Sequence, residues 1–114
     1  MNVRISTLVF DLIDHYRTVA GRARFGDECS RRWRLHLSAT FGDKHAHELG
    51  TQALREYRAR RAAENAAPAS VNRELQILRS AFRLAEHAEP PKVGRVPRFL
   101  FARENNARRV FATP

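Results

Sequence analysis

Five histidines, one cysteine, two tyrosines and nineteen arginines are the side chains of this sequence best able to do chemistry. His15, His36, His45, His47 and His87 are scattered, and His45-x-His47 with His36 lacks the acid and thiolate partners expected of a zinc or iron site. Solvated surface histidines are the expectation, with no metal and no cofactor. Cys29 recurs at the spacing of an apolar helix stripe with no histidine placed to activate it, so it reads as a small core residue rather than a nucleophile. Tyr16 and Tyr57 also lie on apolar stripes, which predicts packed rings with hydroxyls reaching the edge. None of the five glycines sits in a GxGxxG or GxxxxGK phosphate loop. No catalytic residue is expected in these 114 residues.

The arginines are the remaining chemistry. Lys and Arg total 21 against 12 Asp and Glu, a net charge of +9, which favours a polyanionic partner. Arg22, Arg24, Arg31, Arg32 and Arg34 are close in sequence. Ser70-Val71-Asn72-Arg73-Glu74 opens an apolar helix, where backbone N–H groups favour phosphate. Asn and Arg are also the usual readers of adenine and guanine edges. The same Ser70 to Glu74 spacing is mostly a signal of helix capping.

Four helices must position these groups. The first is expected from a Thr7 cap to Gly21, with Val9, Leu12, Ile13, Tyr16, Val19 and Ala20 on one face. After a basic connector, Gly21 to Gly26, the second covers about Asp27 to Thr40, with Asp27 and Glu28 at its N-terminus and Cys29, Trp33, Leu37 and Phe41 inside. The third begins at a Thr51 cap and reaches about Asn65, its inner side marked by Leu54, Tyr57 and Arg61. Pro68 interrupts, Ser70 caps, and the fourth helix, about Val71 to His87, carries the widest apolar stripe.

From Pro90 the pattern turns aperiodic, apolar and basic, and residues 90–114 are expected to be an irregular linker that packs on something outside this chain. The expected organisation is a helical DNA-binding domain over residues 1–89 and a linker over 90–114. A single cysteine excludes an intramolecular disulfide framework, and no stretch is apolar enough for a signal peptide or a bilayer span. These features predict a soluble cytoplasmic protein, associated with the nucleoid when bound to DNA.

Several motifs are similar to one family. Trp33-Arg34-Leu35-His36-Leu37 followed by Phe41-Gly42, then Leu49, Leu54, Tyr57 and Arg61, match its second and third helices. Ser70-Val71-Asn72-Arg73-Glu74-Leu75 with Leu78-Arg79, Ala81-Phe82 and Ala85 matches its most specific motif. Pro90-Pro91, Pro97, Glu104-Asn105-Asn106-Ala107-Arg108 and Phe111 match one branch's linker, except that Val110 replaces a usual glycine. From about Thr7 to Phe111 the chain thus resembles the core-binding domain of tyrosine recombinases of the phage-integrase type. The resemblance implies an all-α, four-helix SAM-like bundle that forms one jaw of a clamp on a core-type recombination site. Its partners would be double-stranded DNA, its own catalytic domain and other recombinase protomers. Catalysis would belong to a second domain carrying Arg, Lys, His-x-x-Arg and a Tyr nucleophile, and no His-x-x-Arg occurs in this sequence.

The resemblance turns the second and fourth helices to DNA. The candidate contacts are then Arg31, Arg32, Arg34, Ser70, Asn72, Arg73 and Arg79, with Lys92 and Arg95 following the backbone. Asn72 and Arg73 are both expected on the exposed start of the fourth helix. The rival class is a helical interaction or oligomerisation module whose basic face only solubilises it. An RNA-binding protein is a third reading, weakened by the lack of exposed aromatics for stacking bases.

Overall fold

A computed structural model describes residues 3–19, 21–101 and 103. The expected Ala20 position, the Glu104 to Arg108 motif, Val110 and Phe111 lie outside these residues. Four helical rods pack around one core. The first is α1 (Ile5–Asp14), extended by a π turn at His15–Val19. The second joins α2 (Ala23–Arg32), a π turn at Trp33–Leu37 and α3 (Ser38–Phe41). A short 3-10 turn at Ala46–Glu48 leads into α4 (Thr51–Ala63), and α5 (Pro68–Glu86) closes the bundle. The chain is all-α. Among the described residues the only β pairing is one bridge between Arg4 and His45.

That bridge sets the start of α1. The Ile5 amide donates to Lys44 O at 3.0 Å and the Ala46 amide to Val3 O at 2.7 Å, so a helix N–H is satisfied by a neighbouring loop instead of a cap. The helix therefore begins at Ile5, ahead of the expected Thr7. Ile5, Leu8, Val9, Leu12 and Ile13 then recur at i, i+3, i+4, i+7 and i+8 and are all buried. Gly21, at φ +64°, turns the chain, a conformation glycine adopts without Cβ strain.

The expected connector from Gly21 to Gly26 is instead the first turn of α2. Gly26 is buried where α2 crosses α1, and a Cβ there would lie 2.7 Å from Arg17 Cγ and 3.1 Å from Ile13 O. The glycine is a close-approach residue, not a helix breaker. Asp27 and Glu28 consequently sit beyond the first turn, and Asp27 binds Arg17 across the crossing at 2.7 Å.

Two further boundaries shift. Gly50, not Thr51, is the N-cap of α4, and Asn65 at φ +64° ends it, with the Ala66 amide donating to Arg61 O at 3.0 Å. Pro68 occupies the first turn of α5, where its missing N–H costs nothing, so it starts the helix instead of interrupting it. Ala67 is the N-cap and Ser70 caps nothing. Val71, Leu75, Leu78, Phe82 and Ala85 run through the centre of the core as the pattern predicts.

The linker departs most from expectation. The Lys92 amide donates to Ala85 O at 2.9 Å and reverses the chain, Val93 is buried, and Val96, Phe99 and Phe101 pack against the core. Residues 93–101 therefore lie on the bundle itself, because their apolar side chains find a surface within the same chain.

Candidate nucleic-acid interface

Glu74 organises the end of the bundle from which α5 starts. Its carboxylate is fully buried, which is stable only with its oxygens bonded. Tyr57 donates its hydroxyl to Oε1 at 2.5 Å. Arg61 makes a bidentate pair, Nε to Oε1 at 2.9 Å and Nη2 to Oε2 at 2.8 Å. Arg32 Nη1 lies 4.0 Å from Oε2. This hydrogen-bonded pairing with Glu74 holds the Arg61 guanidinium protonated above its ordinary range, and burial pushes the Tyr57 phenol above its own. The Tyr57 hydroxyl, expected at the edge, is thus inside. Glu74 was legible in principle: it sits three residues after Val71 and four before Leu78, inside the apolar row, and Arg61 lies on the inner side of α4.

The nine residues expected to meet DNA divide by environment. Asn72 is 5% exposed and packed into the bundle, so the expectation that it stands on an open helix start is corrected. Ser70 is half-buried, and Arg73, one step further round, is exposed. Arg31 and Arg32 both bond Glu28, at 2.8 and 2.9 Å, and the Arg32 side chain is only 14% exposed. The Arg31 hydrogen bond holds the Glu28 carboxyl below the usual carboxylate range. Arg34 is exposed and has no ion pair among the described residues. Arg79 is half-buried, its guanidinium 5.8 Å from the Phe101 ring centre. Lys92 Nζ is 2.5 Å from Asp11 Oδ2. Arg95 is exposed on a cleft of about 530 Å³ that Arg98 also lines.

One side chain was missed. Arg83 is exposed on α5, ten residues after Arg73 and four after Arg79. Between Pro68 and Ala85 the sole carboxylate is Glu74, which points inward. The outer face of α5 thus presents Arg73, Gln76, Ser80 and Arg83 with no acid among them.

Other chemistry finds little footing. Burial pushes the Cys29 thiol up to about 11, so it stays protonated and weakly nucleophilic. Among the described residues no group of three or more His, Cys, Asp or Glu side chains could hold a metal ion. His45 and His47 stack at 5.8 Å, and the Glu48 carboxylate accepts from the His45 amide. Among the described residues no helix is long and apolar enough to cross a membrane.

An all-helical module with a buried ionic hub and a cationic outer helix face is the class that fold and site define. The chain matches the family model for the phage integrase N-terminal domain over residues 6–90, and it belongs to that family. Membership supports a role within the tyrosine recombinases. No curated protein matches, and no solved structure matches.

Proposed function

We propose that this domain binds double-stranded DNA as the core-binding part of a tyrosine-type recombinase or integrase, holding the recombination site while catalytic residues elsewhere break and rejoin the strands. The observation that carries this reading is the outer face of α5 from Arg73 to Arg83, which holds no acid before Glu86 and where both arginines are exposed without an ion pair among the described residues. Arg34 and Arg95 extend the cationic surface. In this reading residues 1–89 grip DNA and 90–114 form the linker. Arg31, Arg32 and Lys92, already answered by Glu28 and Asp11, contribute field more than direct contact.

Phosphate contacts dominate and base readout is modest. Titrating a fluorescent duplex at several salt concentrations tests this. With about five phosphates neutralised, log K falls against log salt with a slope of roughly −4 to −5. Arg73→Ala with Arg83→Ala makes the slope shallower by about 2 and leaves the thermal melt unchanged, since both side chains are exposed. Binding indifferent to salt, or absent at low salt, removes the reading. Phe10 and Phe25 are exposed, which corrects the expectation that no aromatic ring stands open, and with Val19 and Leu35 they favour the rival, an interaction module, which sedimentation showing salt-insensitive self-association would support.

A further inference from the structure

Two arginines of the bundle are held by neutral partners supplied by one segment. Arg58 Nη1 donates to Leu100 O at 3.0 Å, and Arg79 lies over Phe101. A carbonyl and a ring answer the geometry of a guanidinium without neutralising its charge, unlike the carboxylates that hold Arg61 and Arg32. A phosphate oxygen makes a shorter and stronger bond to the same group. Arg79 and Arg83 are one helical turn apart, so the covered cation borders the open α5 face.

The hold on the segment is light. Only Val93 is buried between residues 92 and 101, while Val96, Phe99 and Phe101 are partly covered. Phe99 meets Phe82 edge-on, at 6.4 Å between ring centres, and these residues have no helix or strand ladder. The segment also has no acid and itself carries Arg95 and Arg98.

We propose that residues 93–101 are an autoinhibitory strap, parking Arg58 and Arg79 on neutral groups until duplex DNA displaces it and takes both cations. This rests on the DNA-binding reading above. The freed state makes two more phosphate contacts than the strapped one, so strap position sets both affinity and salt dependence.

Phe99→Ser with Phe101→Ser in the full chain releases the strap, and circular dichroism checks that the helices persist. Relative to wild type, the variant binds a fluorescent duplex about tenfold tighter at low salt, with a log K against log salt slope steeper by about 2. Adding Arg58→Gln and Arg79→Gln abolishes both gains. A folded variant whose slope equals or is shallower than wild type overturns the strap and leaves the DNA reading standing. A wild-type chain that binds no duplex overturns both. If the double variant loses its helices, Phe101→Ser alone decides: a slope steeper by about 1 supports the strap, and no change sinks it.

Discussion

Glu74 is the residue on which three helices converge. It takes bonds from Tyr57 and Arg61 on α4 and lies near Arg32 on α2, while Glu28 on the surface makes superficially similar pairs with Arg31 and Arg32. Burial separates their energetics. Glu74→Gln removes the charge that answers the 8%-exposed Arg61, and losing one partner of a buried pair costs about 3–5 kcal/mol. Glu28→Gln breaks partly solvated pairs with Arg31 and Arg32 and costs under about 1 kcal/mol. Urea denaturation of both variants checks the contrast, and equal losses would mean that Glu74 is better hydrated than its complete burial implies. The Ser70 to Glu74 motif therefore does two jobs: Asn72 and Glu74 are buried and Arg73 is exposed. Spacing identified this stretch as important. It could not tell buried from exposed, because that depends on what the tertiary fold lays over α5.

At the scale of elements, the crossing of α1 and α2 depends on a missing side chain. Gly26→Ala puts a methyl 2.7 Å from Arg17 Cγ and 3.1 Å from the Ile13 carbonyl, so either Arg17 leaves Asp27 or the helices part. The expected loss is about 1–3 kcal/mol. Differential scanning calorimetry measures it, and a neutral or stabilising result would show that the crossing tolerates a Cβ. Taken from sequence, Gly26 marks a boundary, since isolated glycines usually do. The fold uses it for approach, and α2 begins four residues before the expected Asp27. Helix existence, the Val9, Leu12 and Ile13 part of the α1 face and the buried row of α5 were legible because apolar spacing specifies them, but Val19, expected on the same α1 face, is 76% exposed on the π turn, where no residue is buried. Starts were not: α1, α2, α4 and α5 have no side-chain cap bond, and the start of α1 is set by a bridge to a loop forty residues away.

Across the whole molecule, a charge of +9 bears on the pH dependence of folding. Arg31 lowers the Glu28 carboxyl, and the bond from the His45 amide lowers Glu48. Groups whose folded pKa lies below the unfolded value stabilise the fold above the unfolded pKa, here about 4.5, and lose that contribution as pH falls through the lower folded value. Acid also adds charge to an already cationic chain. Thermal melts should therefore decline once pH falls below about 4.5, and Glu28→Gln should flatten part of the decline. An unchanged pH profile in that variant would show that the Arg31 pair contributes nothing in solution. Periodicity and composition by themselves determined that the chain is a helical bundle with a cationic surface, and its motifs carried the family likeness, because helix spacing and charge are local properties of the residue order. Tertiary contact alone decided which polar groups are inside, that Gly26 lets two helices touch, and that residues 93–101 fold back onto the bundle. Those outcomes depend on surfaces contributed by residues distant in sequence, which no local pattern encodes.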